Sequence, residues 1–183
     1  MDHLDARDDM DQRSLVGVDR RILSAVHAHG RDPRVAGAAR ALSRAGEHGV
    51  LWLAAGLAGV AVDGRRRGAW MRGTALTAGA HLVSMGVKRV VRRPRPAHVE
   101  PRVPTLGRHS FPSSHAASAT AAAVAFGALG VYAIVPLATA MCLSRLVVGV
   151  HYPSDVAAGA ALGALTARVG ASWMRSGGGP VHA

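Results

Sequence analysis

The sequence predicts an all-α fold: a polytopic membrane helical bundle of about five transmembrane helices with an N-terminal interfacial helical segment. Three observations carry that prediction. Five apolar stretches, residues 48–63, 69–91, 114–130, 131–150 and 156–174, each run for about 16 to 23 residues, and about 20 helical residues cross a bilayer core. They are built largely from Ala, Val, Leu and Gly, with spacings such as Gly159-x3-Gly163 that suit close packing between membrane helices. The charges gather between the stretches, which the modest mean hydropathy of +0.17 conceals. A soluble Ala-rich bundle would need more polar surface than five such runs leave in 183 residues.

In chain order, residues 1–21 are polar, acid-rich at first, and expected to be mobile. Residues 22–46 form an interfacial segment of short amphipathic helices, broken at Asp32-Pro33 and lying on the membrane. A membrane domain follows over 47–175, with a flexible tail at 176–183. Its first two helices are joined by the polar turn Asp63-Gly-Arg-Arg-Arg-Gly. A proline-rich loop spans 92–113, long enough without structure of its own to suggest function. Helices three and four meet near Gly130, and His151-Tyr-Pro-Ser-Asp155 separates four from five. Trp52, Trp70, Tyr152 and Trp173 lie near span ends and read as interface anchors.

Composition narrows the function. The opening residues lack the basic and apolar regions of a signal peptide. One cysteine, Cys142, sits in an apolar run, so no intrachain disulfide and no Cys-based metal site is expected. A net charge of +11 could serve nucleic acid, but 4% aromatic residues provide no stacking platform, and basic residues flanking apolar runs suit anionic lipid headgroups. The partners expected are therefore membrane lipids and a lipid-linked phosphate substrate, with no nucleic acid.

Lys88 is the only lysine, against 21 arginines. A compact ammonium is not interchangeable with a planar guanidinium fork in a tight anion site. Lys88 opens the pattern Lys-x6-Arg95-Pro96; Pro112-Ser113-Ser114-His115 follows, then Ser144-Arg145-x5-His151-x3-Asp155. Each motif sits at the end of an apolar stretch, and alternating crossings put all those ends on one face. Lys88, Arg95 and Arg145 supply positive charge for a phosphate, Ser113 is a good N-cap, and a helix N-terminus offers free N–H groups to an anion. His151, four residues before Asp155, reads as an imidazole oriented by a carboxylate and so as a nucleophile; His115 is then the general acid for the leaving oxygen.

These motifs, in this order and spacing, resemble those of the type 2 phosphatidic acid phosphatase superfamily, which also includes bacterial acid phosphatases and vanadium haloperoxidases. The resemblance covers Lys88 to Asp155 as motifs and about 48–174 as helix layout. It implies that His151 attacks phosphorus to form a phosphohistidine and that His115 protonates the departing alcohol. Lys88, Arg95, Ser113, Ser114, Arg145 and backbone N–H groups hold the phosphoryl oxygens, and water releases phosphate with neither metal nor cofactor. Ser114 departs from the glycine of many members; its N–H is kept, and its side chain bears on pocket size. The Arg- and Ala-rich motif surroundings resemble the actinobacterial subfamily acting on decaprenylphosphoryl-5-phosphoribose, a lipid-linked ribose phosphate of arabinan synthesis. Undecaprenyl diphosphate, phosphatidylglycerophosphate and phosphatidic acid are the alternative substrates. A catalytically silent lipid-binding protein would be favoured by loss of a motif histidine or of Asp155, and all are present.

Secondary residues read more plainly. His81, seven residues before Lys88, shares its helix face two turns deeper; it suits an interhelical hydrogen bond, or the lining of a lipid or sugar pocket. Arg92, Arg93, Arg102, Arg108 and His109 read as solvated interfacial residues, or as contacts to a second anionic group. The side of the membrane stays open. The motif face carries 16 basic residues against six on the other, which favours the cytoplasm, whereas small bacterial members of the family favour the outside.

Overall fold

The computed structural model describes residues 2–105 and 107–175, with side chains placed for 16–105 and 107–174, so the expected flexible tail at 176–183 lies outside the described residues. Among the described residues every regular element is helical: α1 (Asp2–His29), α2 (Pro33–Ala45), α3 (Val50–Val62), α4 (Arg67–Val91), α5 (Ser114–Gly127), α6 (Ile134–Val147), α7 (Pro153–Val169) and α8 (Ala171–Arg175). Short 3-10 turns at Glu47–Gly49 and Gly64–Arg66 lead into α3 and α4.

The helix breaks have local causes. Asp32 caps α2, its carboxylate accepting from the N–H groups of Arg34 and Val35, and Pro33 takes the first helical position, where its missing N–H costs nothing. Between α2 and α3 the backbone turns left-handed at His48 (φ 51°) and Gly49 (φ 74°). Asp63 accepts from the N–H of Arg66 and so caps the turn before α4. The break falls at the expected Asp32-Pro33, but the helix before it is one unit from Asp2, running through the position where a boundary at residue 21 was expected.

Four of the five apolar stretches become shorter helices than their length as sequence suggests, while α4 covers 69–91 in full. The 131–150 stretch yields 14 helical residues, about 21 Å at 1.5 Å per residue, because it enters through a turn and leaves at Gly149 with φ 76°. No single helix among the described residues is long and apolar enough to cross a membrane; α2 and the Glu47–Val62 segment reach that length and composition only as a pair bent by 54°.

Packing is reversed from a soluble bundle. α5 is the central helix, with Ala116, Ala117, Ala119, Ala121, Ala122 and Ala125 buried, while Leu57, Leu82, Val90, Leu143, Leu165 and Val169 stand exposed on the helices around it. Small residues inside and large apolar residues outside is the arrangement of helices packed in lipid, where close contact rather than water exclusion holds them together. Gly159 and Gly163 seat α7 on α5: a Cβ at either would stand 2.4 Å or 2.1 Å from the carbonyl oxygens of Ser113 and Ala117. Trp52, Trp70 and Phe126 fill the space between α3, α4 and α5, with Trp70 and Phe126 rings 5.1 Å apart. The expectation of interface anchors is thus corrected for Trp52, Trp70 and Tyr152, which are buried; Trp173 is exposed. Their bulk fills space that the many core alanines leave open.

Candidate active site

The three motifs meet at one cavity of about 600 Å³, whose wall includes Lys88, Arg95, Ser114, His115, Arg145 and His151. Each is delivered by a helix end. Lys88 lies in the last turn of α4 and Arg145 in the last turn of α6; Ser114 and His115 open α5, and His151 precedes α7. Arg95 comes from the 92–113 loop, which is held rather than free: Pro94 bridges to His109, Ser110 donates its N–H to the Arg93 carbonyl (2.8 Å), and Arg102 donates its N–H to the Val148 carbonyl (2.9 Å).

His151 and Asp155 form the buried centre. His151 Nδ1 stands 3.6 Å from Asp155 Oδ2 and has no other partner, a separation just beyond hydrogen-bond reach. Asp155 is itself fixed: Oδ2 accepts from the Tyr152 N–H (2.8 Å) as part of the α7 capping box, and Oδ1 accepts from Arg93 (2.9 Å). Burial holds the His151 pKa well below its ordinary 6.5 against the pull of Asp155, and the cations Arg145, Lys88 and Arg95 add to the lowering. Burial opposes the Asp155 charge, yet the His151 ring, the Tyr152 N–H and Arg93 outweigh it and hold that carboxyl below its ordinary 3.8. At rest the pair is a neutral imidazole beside a carboxylate, the state a nitrogen nucleophile requires.

The cations are held by oxygens that leave donors over. Lys88 Nζ donates to the carbonyls of Ser110 (3.0 Å) and Pro112 (2.6 Å), two of its three N–H bonds. Arg95 donates from Nε to the Gly107 carbonyl (2.7 Å) and from Nη1 to the Val150 carbonyl (2.8 Å), which leaves Nη2. Burial depresses the Arg95 pKa, partly offset by Asp155. Arg145 donates from Nη1 to the Ser43 hydroxyl, and its buried Nε is unpartnered. His115 Nε2 donates to the Ser43 carbonyl (3.1 Å), which fixes a proton there and leaves Nδ1 as the nitrogen open to proton exchange with a substrate.

Ser113 and Ser114 divide the work differently from expectation. Ser113 is fully buried as the N-cap of α5: its hydroxyl accepts from the Ala116 N–H (3.4 Å) and its N–H donates to the Asp155 carbonyl (2.9 Å). It joins α5 to α7 and is not among the residues on the cavity wall. Ser114, which stands where glycine was anticipated, is on the wall with a buried, unpartnered hydroxyl. The reason is helical geometry: an N-cap side chain folds back over its own first turn, and the next residue faces outward.

Sequence reasoning missed three residues. Arg93, read as solvated, spans Asp155, Ser154 (2.6 Å) and Asp19 (2.8 Å) and covers the Tyr152 ring at 4.2 Å. Asp19 also accepts from the N–H of Ser154 (3.0 Å) and from its hydroxyl. Ser43 holds both Arg145 and His115. Asp19 comes from the 1–21 segment on α1 and Ser43 from the 22–46 segment on α2, and both pack against the site. Neither carried a local signal: one is an aspartate in a charge-rich stretch, the other a serine in an amphipathic helix. Of the remaining basic residues, Arg108 and His109 lie on the cavity wall, and Arg102 donates to the His27 carbonyl (3.1 Å). Arg92 ends α4 in a left-handed conformation. Among the described residues, no group of three or more His, Cys, Asp or Glu side chains could hold a metal ion.

Known proteins share this architecture. The PAP2 superfamily profile matches residues 69–177. The chain is 47% identical over 135 residues to decaprenylphosphoryl-5-phosphoribose phosphatase of Mycobacterium tuberculosis (strain ATCC 25618 / H37Rv), covering 72% of this chain and 76% of that one. It is 47% identical over 130 residues to the enzyme of the same name from Mycolicibacterium smegmatis (strain ATCC 700084 / mc(2)155), covering 69% and 72%. Among solved structures, the first transmembrane PAP2 type phosphatidylglycerolphosphate phosphatase from Bacillus subtilis superposes with a TM-score of 0.55 at 21% identity, over 87% of this chain and 96% of that one, a likeness of fold. With the profile spanning more than half of the chain and named phosphatases at this identity, the chain belongs to the PAP2 superfamily, among its phosphatases.

Proposed function

We propose that this chain is a multi-pass membrane phosphatase that hydrolyses the phosphomonoester of a lipid-linked substrate through a phosphohistidine, with decaprenylphosphoryl-5-phosphoribose as that substrate. The observation that carries the reading is His151, backed by the buried Asp155, on the wall of the same cavity as Lys88, Arg95 and Arg145. The cations take the non-bridging phosphoryl oxygens and stabilise charge as it shifts in the transition state. The free ring nitrogen of His151 attacks phosphorus while the bond to the ester oxygen breaks, and Asp155 stabilises the imidazolium that forms. His115 takes a second proton, onto Nδ1, once the charge of the bound phosphate stands beside it, and gives that proton to the leaving alcohol. The neutral His115 then takes a proton from water, whose oxygen attacks the phosphohistidine, breaks the P–N bond and releases phosphate. No metal is needed, since cations already occupy the places a metal would fill.

The substrate reading draws on the two relatives named for it and on the reach of the cavity, which exceeds a phosphoryl group. The test is phosphate release by purified protein in EDTA across decaprenylphosphoryl-5-phosphoribose, undecaprenyl diphosphate, phosphatidylglycerophosphate and phosphatidic acid. Highest kcat/KM on the first, a rate within about twofold of that without chelator, and an acid-labile, base-stable phosphoenzyme absent from His151→Ala are expected. Full activity in His151→Ala would remove the mechanism; preference for another lipid would remove the substrate.

A further inference from the structure

The cavity wall continues beyond the reacting groups, and its chemistry changes. Glu47, His48 and His81 share the wall with Lys88 and His151. Glu47 is the one carboxylate on that wall among the described residues, in a pocket otherwise furnished with cations. Glu47 offsets part of the cost of burying the Arg145 charge, but a carboxylate also accepts hydrogen bonds and repels phosphate. It suits hydroxyl groups, which donate.

Two further observations point to the same place. His81 Nδ1 is buried without a hydrogen-bond partner, a state that is unfavourable until a ligand or water supplies one. His48 holds φ 51° outside glycine, and strained backbone of this kind gathers at ligand clamps. The strained turn stands beside that histidine: a Cβ on Gly49 would lie 3.8 Å from His81 Nδ1. The imidazoles and the carboxylate thus come from two elements, the turn before α3 and the middle of α4.

We propose that Glu47, His48 and His81 form a hydroxyl-reading subsite that takes the vicinal diol of a sugar-type leaving alcohol. The subsite rests on the phosphatase reading above and deepens it: the cations select the phosphoryl group, and this subsite selects what it is attached to. A buried acceptor left without its hydroxyl discriminates far better than an apolar pocket that merely loses a methylene.

The experiment compares two esters of equal chain length, a lipid-linked ribose 5-phosphate and its 2,3-dideoxy analogue. In the parent, kcat/KM should favour the hydroxylated ester at least about tenfold, and Glu47→Gln and His81→Leu should each reduce that ratio at least about fivefold. A parent ratio near one, or a ratio unchanged in both variants, overturns the subsite. His81→Gln keeps a polar group if His81→Leu does not fold, and should reduce the ratio too. Binding of both esters to the His151→Ala chain, by calorimetry, reads the same preference without turnover. Absence of turnover of every ester, with the binding preference intact, would defeat the phosphatase reading and leave the subsite standing.

Discussion

Replacing Arg93 by glutamine tests whether the nucleophile is aligned from outside the three motifs. Among the described residues, Arg93 is the one side chain that joins Asp155 on α7 to Asp19 on α1, at 2.9 Å and 2.8 Å. Glutamine removes the charge and shortens the reach. Asp155, fully buried, then keeps the Tyr152 N–H and the His151 ring but loses its charged partner at Oδ1. A hydrogen bond to a charged group contributes about 1.5–3 kcal/mol, and the partly exposed Arg93 head puts the stability loss toward the lower figure. The loss in turnover should be about 10- to 100-fold, the usual size when a residue orienting a catalytic group is removed. That is about 1.4–2.7 kcal/mol of barrier.

The sign of the pH effect separates alignment from mere stability. Arg93 helps hold the Asp155 carboxyl low, so Arg93→Gln should move the acid limb of kcat to higher pH. Asp19→Asn leaves Arg93 with Asp155 as its remaining carboxylate partner and should cost turnover only about three- to tenfold, and the double variant should resemble Arg93→Gln alone, as members of one network are not additive. The assay is phosphate release with detergent-solubilised protein between about pH 3 and 8, beside its melting temperature. An Arg93→Gln chain with kcat within twofold of the parent and an unmoved acid limb would refute the alignment.

Two further outcomes follow from the structure. His151 has a folded pKa below its ordinary 6.5, so its contribution to stability is complete above that value and is lost as pH falls below it; Asp155, depressed from 3.8, loses its share only below 3.8. Between pH 7.5 and 5 the parent should therefore lose up to about 2 kcal/mol through His151, and His151→Gln should flatten that slope; an identical slope in both chains would count against a buried neutral His151. For the side of the membrane, Thr105→Cys in a Cys142→Ala background places a thiol at the exposed rim of the site. With the site in the cytoplasm, as the charge count favours, it should resist an impermeant thiol reagent in intact cells and react after lysis, whereas labelling in intact cells would put the site outside.

Helical class, the break at Asp32-Pro33 and the motif ends were legible in the sequence because each is written locally: in apolar run lengths, in a proline with its cap, and in charged residues where hydrophobic runs stop. Gly159 and Gly163 were legible for the same reason, since only glycine admits a carbonyl at the distances found here. Tertiary structure decided the rest. Whether Ser113 or Ser114 faces the phosphate depends on how the first turn of α5 rotates against α7, and run length says nothing of rotation. The burial of Trp52, Trp70 and Tyr152 follows from which helices are neighbours, as does the recruitment of Asp19, Ser43 and Arg93. Their partners lie 61 to 135 residues away in sequence, and a polar side chain declares its purpose only once a distant one stands within three ångströms of it.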